Sequence, residues 1–518
     1  MKPVLHSVVI AVAAGVVALL VTAIFLLPFV DVLDDTWQYE LFKEQARHPS
    51  PINPSEVWRA VGATFIPYFG GASWYNLTTH YDIGMARVGS VILALALIGA
   101  CQARRRREVW FLIALAMVAL IAAWSAPPVT TLLRKVPLFA VAKNERLGFA
   151  AAFALSMLAA MAFDARDAVS RNRRLVFAVG AALAIATALL WRTRLDFGVQ
   201  PKMMLIGAAA ELLGIALLIA ALSSRYRVAI VLVLAAIAAQ RLAEDGFIYP
   251  AMPRRMFYPS TPILDAIPRD PLYRVVGTAN LFIPNAASMF GLEDVRGYAS
   301  MTYAPYKQTT RLWCPTSQRS YLDVTDLTLP FLSFLGVRHA ITPRTMEPPP
   351  GWRVIADDRN TRLMENPRAI PRVFIPKIVR FMNSHETEME EMLQATDFAG
   401  RAWIYSTEVM PQDVANGEAE LQVRRVGSHY EIDVGARSAC RIVITDVDWP
   451  GWRAYLDGRR VKISTANLAF LSVYVPEGTH HIRLVYLPDA FVRGRAVSFA
   501  TILVLSAAIV VRRLRRKT

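Results

Sequence analysis

Residues 203–222, MMLIGAAAELLGIALLIAAL, decide the fold. This stretch holds a single charged side chain, Glu211. An α-helix rises 1.5 Å per residue, so about 20 apolar residues cross a hydrocarbon layer about 30 Å thick. Seven other runs read in the same way: 7–29, 83–102, 109–125, 147–163, 175–191, 227–241 and 496–511. The whole composition agrees, with 54% hydrophobic and 19% charged residues among 518 and a mean hydropathy of +0.34. Soluble domains carry about 25% charged residues. The expectation is an α-helical multi-pass membrane bundle with extramembrane domains.

The formal net charge is +16, and its placement decides what it means. Residues 243–490 carry 27 Lys/Arg against 28 Asp/Glu, so the whole excess lies around the apolar runs. Basic residues there are topology signals and headgroup contacts, and nucleic-acid binding is excluded. With both termini inside, the cytoplasmic side receives 16 Lys/Arg, Arg104 to Arg107 and Arg512 to Lys517 among them, and the two short external loops receive seven. This places the 30–82 loop and the 243–490 segment outside. The first run is too long for a signal-peptide core and runs into Pro28-Phe29-Val30-Asp31 without an A-x-A site, so it reads as an uncleaved span.

Within the outer segment, residues 243–417 mix short β-like runs with a helix that Ser384 can cap, an α+β pattern. Residues 418–490 alternate with period two, as in Tyr430-Glu431-Ile432-Asp433-Val434 and Leu471-Ser472-Val473-Tyr474-Val475. Seven such strands, one pair joined by Asp457-Gly458, predict a β-sandwich. The domains expected are therefore 1–242 as a bundle of about seven helices, 243–417, 418–490, and 491–518 as the last span with a basic tail.

No H-E-x-x-H, G-x-S-x-G, P-loop or G-x-G-x-x-G is present. Adjacent His480 and His481 would point to opposite faces of a strand and cannot share an ion. Cys101, Cys314 and Cys440 lack metal-site spacing, and a Cys314–Cys440 disulfide is permitted outside the cytoplasm. Asp31, Asp34 and Asp35 gather at the outer mouth of the first span. Carboxylates so placed suit a general base or a divalent cation, although a solvated acidic loop explains them too. Glu211 in mid-span is costly unless paired, and Arg87 is its candidate counter-ion. Arg134, Lys135, Lys143 and Arg146 place four cations in an outer loop against the charge bias, which suits a lipid-linked phosphate as well as ordinary headgroups. Trp449, Trp452 and Tyr298 could stack on sugar rings, or could serve as core and interface aromatics.

Several ordered motifs carry a family resemblance. Asp448-Trp449-Pro450-Gly451-Trp452-Arg453-Ala454-Tyr455-Leu456-Asp457-Gly458, Asn467 and Val475-Pro476-Glu477-Gly478-Thr479-His480 resemble the C-terminal β-domain of YfhO-type bacterial multi-pass membrane proteins. Arg274-Val275-Val276-Gly277, Gly297-Tyr298, Leu335-Gly336-Val337-Arg338 and Pro371-Arg372 are similar to that family's extracytoplasmic domain. The resemblance implies a GT-C-like protein of the bacterial inner membrane. Such an enzyme moves a sugar from a polyprenyl-phosphate donor to an envelope glycan or polymer, using an acid in its first external loop. The matched motifs belong to the family's middle and C-terminal part, and its N-terminal catalytic helices find no counterpart. Either Asp31, Asp34 and Asp35 take the acid's role, or the chain is a fragment, a split-gene part that works with a partner membrane protein, or a non-catalytic relative. The rival readings are a lipid or polysaccharide transporter centred on Glu211 and Arg87, and a non-catalytic glycan-binding or assembly protein.

Overall fold

The computed structural model describes residues 2–47, 53–65, 87–136, 139, 142, 144–164, 173–192, 201–222, 226–245, 252–253, 256–279, 281–297, 299, 301–315, 322–408 and 410–515. The chain divides into two compact units, Met1–Leu41 with Arg254–Thr518, and Phe42–Pro253. The N-terminal span therefore belongs with the β-rich part and not with the other helices.

In the unit Phe42–Pro253, the helices Ser90–Gln102, Arg107–Ala123, Gly148–Asp164, Arg173–Arg192, Pro201–Leu222 and Tyr226–Asp245 coincide with the apolar runs. Their core is built of small and aliphatic side chains such as Val91, Ala94, Ala154, Leu158, Ile215 and Val233. Phe149, Phe153 and Leu189 stand on outer faces at 59–64% exposure, an apolar surface of the kind that lipid covers. Among the described residues two helices are long and apolar enough to cross a membrane, Asn144–Ala162 and Asp489–Arg515, or three if a bent N-terminal pair counts as one span. Shorter apolar helical stretches, Ser90–Gln102, Arg174–Leu190, Leu205–Ile219 and Val231–Gln240, fall at the runs 83–102, 175–191, 203–222 and 227–241. The first of them starts at Ser90, after Gly89 with its φ of 79°.

The bent pair, Val12–Val21 and Ala23–Asp31, turns by 76° around Thr22 and packs on the terminal helix Asp489–Arg515. Ile24 N–H would bond Leu20 C=O in an unbroken helix. Instead the Ser498 hydroxyl accepts from Ile24 N–H at 2.9 Å and donates to Leu20 C=O at 3.3 Å. A side chain inserted into the helical ladder is one of the few ways to hold a sharp bend, and it matters most where no water can replace it. One turn before Ser498, Gly494 lies so close that a Cβ there would stand 2.4 Å from Ala23 O. Ser498→Ala is expected to cost about 0.6–1.7 kcal/mol, the span measured for hydrogen bonds between membrane helices. The thermal unfolding of the full chain in detergent checks it, and an unchanged midpoint would deny the bridge a role.

The β-rich unit contains three sheets. The four-stranded sheet runs Arg274–Gly277, Val337–Pro343, Thr361–Glu365, Arg353–Asp357, with the first pair parallel. The five-stranded sheet runs Arg459–Val461, Trp452–Leu456, Gly478–Tyr486, His429–Ala436, Ala419–Val426. Its inward residues Tyr430, Ile432 and Val434 meet Ile442, Ile444, Leu471 and Val473 of the seven-stranded sheet, which makes a sandwich. That larger sheet runs Val373–Phe374, Cys440–Val447, Phe470–Val475, Ile463–Ala466, Arg401–Tyr405, Ile378–Met382, Gln412–Ala415. Strands from both sides of residue 418 thus share one sheet, and no break falls at the boundary read from sequence. The opposite face of this sheet buries an aromatic core in which Phe331, Phe334 and Phe470 pack with ring centroids 4.7–6.1 Å apart.

Local signals hold. Ser384 Oγ accepts from Thr387 N–H to cap the helix His385–Gln394. Asp457 and Gly458 both take positive φ in the tight turn between strands. His480 and His481 diverge as their alternation requires, to Asp457 and Asp433, each at 2.7 Å. Cys314 and Cys440 are buried in different cores, so no disulfide joins them.

A charged cluster ties strands and loops together beneath the sandwich. Asp446 accepts from Arg274 Nη2 at 2.8 Å, Arg372 Nη1 at 2.5 Å and Tyr430 Oη at 2.7 Å. Arg372 also pairs with Glu293, which in turn holds Arg425 at 2.6 Å. Burial pushes the Asp446 carboxyl upward, but Arg372, Arg274 and the Tyr430 hydrogen bond outweigh it and hold it below the usual range. Burial and the neighbouring Arg372 bring the Arg274 guanidinium down to about 10.

Candidate functional site

The acidic loop and the Asp448–Trp452 motif come together in the β-rich unit. Asp35 closes the short 3-10 turn Leu33–Asp35 that follows the helix Ala23–Asp31. The chain beyond it is stitched to residues 299–303. Trp37 N–H donates to Thr302 C=O at 2.8 Å, the Gln38 amide nitrogen donates to Ala299 C=O at 2.8 Å, and Gln38 Oε1 accepts from Thr302 N–H at 2.8 Å. Thr36 forms a β-bridge with Tyr303. Tyr303 begins the helix Ala304–Trp313, and one turn on, Lys307 holds its ammonium 5.0 Å from the Trp37 ring. The Tyr303 ring lies on Trp449 with centroids 4.8 Å apart, and beside it Asp448 accepts from the Thr465 hydroxyl at 2.7 Å.

Gly451 explains the shape of the motif. Its φ is 121°, and a Cβ would sit 2.7 Å from Pro488 Cγ, so the turn closes directly on the root of the terminal helix. Leu487 N–H donates to Gly451 C=O at 2.8 Å, Arg453 pairs with Asp489 at 2.5 Å, and Arg493 reaches Asp31 at 3.8 Å. The site therefore surrounds the first turns of an apolar helix.

Its ionisable groups are shifted away from their ordinary values. Burial, then the charges of Asp34 and Asp31, push the Asp35 carboxyl up. Burial pushes the Asp448 carboxyl up against the opposing Thr465 hydrogen bond. Burial raises the Tyr303 hydroxyl, and both Asp448 and Asp35 add to the rise, so both carboxylates act on that ring's oxygen. The Lys307 ammonium is pushed down by burial. Shifted groups gathered beside an aromatic ledge suit proton transfer at a bound hydroxyl.

Asp448 gives a direct check. A carboxyl with a raised folded pKa adds stability below its unfolded pKa and loses that contribution as pH rises through the folded value. Between about pH 4 and about pH 7 the wild-type melting temperature is therefore expected to lose more than that of Asp448→Asn. Parallel curves would show the carboxyl to be solvated.

The other sequence-derived residues fall elsewhere. Trp452 is half-buried against the sandwich core, its indole N–H donating to Val447 C=O at 3.0 Å. Tyr298 and Lys143 lie outside the described residues. In the unit Phe42–Pro253, Arg134 ends the helix Val129–Leu133 half-buried, while Lys135 and Arg146 are exposed. Glu211 is met by Ser90 and Gln240 and not by Arg87, because the Ser90 N–H at the start of its helix points straight at the carboxylate. Among the described residues no three His, Cys, Asp or Glu side chains gather as a metal-ligand set, so Asp31, Asp34 and Asp35 do not converge on one ion. Lys307, Trp37 and Asp448 escaped the sequence reading. Their signals are modest: Asp448 heads the Trp-Pro-Gly-Trp motif, and Lys307 stands one helical turn from Tyr303.

Residues 410–498 match the family model described as bacterial membrane protein YfhO. The match takes in the Asp448–Trp452 turn, the five-stranded sheet and the start of the terminal helix, so this part of the chain is similar to a bacterial membrane protein family. No curated protein matches the chain, and no solved structure does.

Proposed function

We propose that this protein acts in cell-envelope glycosylation at the outer face of the bacterial inner membrane, as a GT-C-like transferase using a polyprenyl-phosphate sugar. One observation carries the reading. Asp35, its carboxyl pushed up by burial and two neighbouring carboxylates, stands with Asp448 around the Tyr303–Trp449 ledge at the root of an apolar helix. In this reading the ledge holds an acceptor sugar face-on and Asp35 takes the proton of its hydroxyl. That oxygen bonds the donor's anomeric carbon, and the carbon–oxygen bond to phosphate breaks to release the polyprenyl phosphate. Within the unit Phe42–Pro253, Arg134, Lys135, Lys143 and Arg146 are the cations this reading assigns to contact with lipid-linked phosphate, through charge-assisted hydrogen bonds. In this reading the eight apolar runs supply the membrane spans, with both termini inside and residues 243–490 outside.

Support comes from the family match at residues 410–498, from the apolar helices and from the shifted carboxyls. The test is sugar transfer in proteoliposomes containing the full chain, a polyprenyl-phosphate sugar and a glycan acceptor, with wild type beside Asp35→Asn. Transfer that the variant loses supports the reading. Transfer undiminished in the variant removes Asp35 as base, and no transfer by folded wild type across several donors favours an accessory protein.

A further inference from the structure

Within the unit Phe42–Pro253 three helices bring polar side chains to one buried point. Ser90 opens the helix Ser90–Gln102, Glu211 lies midway along Pro201–Leu222, and Gln240 sits near the end of Tyr226–Asp245. All three are buried, Glu211 completely. Glu211 Oε2 accepts from Ser90 N–H at 2.6 Å and from Gln240 Nε2 at 2.9 Å. The Ser90 hydroxyl donates to the Glu211 backbone carbonyl at 2.9 Å and accepts from Gln240 Nε2 at 2.8 Å. Gly214, one turn along from Glu211, leaves room for this amide, since a Cβ there would stand 2.3 Å from Gln240 Nε2. One oxygen of the carboxyl is thus fully served by neutral donors, while the other, Oε1, is buried and has no hydrogen-bond partner among the described residues.

A carboxyl so held has a fixed side and a vacant side. A structural role would use both oxygens, because each buried, unmade hydrogen bond costs about 1–3 kcal/mol. The helices packed on Pro201–Leu222 are Ser90–Gln102, Arg173–Arg192 and Tyr226–Asp245. Their charged residues lie toward the helix ends in sequence, namely Arg173, Arg174, Arg192, Arg227, Arg241, Glu244 and Asp245, with Arg87 just ahead of Ser90. Among the described side chains, Arg87, Arg174 and Arg192 make no ion pair with Glu211.

We propose that Glu211 is a proton-exchange site inside the helical unit, with Oε1 as the atom that gains and loses the proton and Ser90 and Gln240 fixing Oε2. The step is a bare proton transfer: an O–H bond forms at Oε1 as a hydronium ion gives up its proton, and breaks again when water takes it back. The site is separate from Asp35 and does not depend on the transferase reading.

Dicyclohexylcarbodiimide is the probe, because this apolar reagent adds only to protonated carboxyls, and those in dry surroundings keep the adduct. The full chain in lipid nanodiscs is treated from about pH 4 to about pH 9, and peptides are read by mass spectrometry. The expected result is an adduct on Glu211 whose yield falls as pH rises, absent from Glu211→Gln and changed several-fold at fixed pH by Gln240→Leu. No adduct on Glu211 in chain that elutes as folded overturns the proposal, and so does a yield that ignores pH.

Discussion

Asp446→Ala is expected to cost the β-rich unit about 3–5 kcal/mol, the penalty for stranding buried charge. The carboxylate answers Arg274, Arg372 and the Tyr430 hydroxyl together, and the Arg372 side chain is 1% exposed. With Asp446 gone both guanidiniums keep their desolvation cost, and Glu293 remains as the acidic partner of Arg372. Tryptophan fluorescence during urea unfolding of the full chain reads the effect, since Trp452 packs 6.4 Å from the Tyr430 ring. Arg437→Ala is the contrast. Its pairs with Glu418 and Glu420 join side chains that are all at least 70% exposed, so it is expected to cost about 0–1 kcal/mol. Equal losses in the two variants would contradict the buried network. Acid should act in the same direction. Asp446 and Glu293 are both held below the usual carboxylate range by their arginines. Their contribution is complete above the unfolded pKa values and disappears as pH falls through the depressed ones.

Asp35→Asn is expected to lower sugar transfer by about 10²–10⁴-fold, the usual contribution of a positioned base. Asparagine keeps the shape and cannot take the proton. Because the Asp35 carboxyl is pushed up, wild-type transfer should rise with pH through that raised value, and the variant's residual rate should lack the step. Asp31→Asn is the matched control, since that carboxylate faces Arg493 at 3.8 Å and acts on Asp35 only as a neighbouring charge. It should shift the pH profile toward lower pH and leave the plateau nearly unchanged. A large plateau loss in Asp31→Asn with none in Asp35→Asn would reverse the assignment.

What the sequence disclosed was local. Period-two alternation placed the strand His429–Ala436, because burial of Tyr430, Ile432, Val434 and Ala436 needs nothing beyond the pleat. Ser384 and Asp457-Gly458 named a helix start and a turn for similarly short-range reasons. Sites were another matter. Asp35 meets Tyr303 and Asp448 across more than 260 residues, through a bridge at Thr36 and a turn at Gly451 that no spacing encodes. Trp449 and Trp452 look alike in the motif, yet the first stacks on Tyr303 and the second packs against the sandwich core. Only the register of the Trp452–Leu456 strand against Gly478–Tyr486 separates them. The shared seven-stranded sheet escaped notice because its strands at 373–415 and 440–475 are individually short and become neighbours only through topology.

The serine that bridges the N-terminal bend sets a timetable for making the protein. Ile24 and Ser498 are 474 residues apart. At the ribosome's pace of about 5–20 residues per second, roughly 25–95 seconds pass between the synthesis of one and of the other. Throughout that interval the bend at Thr22 has no hydroxyl to satisfy it. The N-terminal helix pair must either stay straight and bend late, or be sheltered until the terminal helix arrives. Ribosome-arrested chains ending before Ser498 would distinguish the two orders, with a cysteine at position 24 protected from lipid-soluble reagents only if the bend is sheltered from the start.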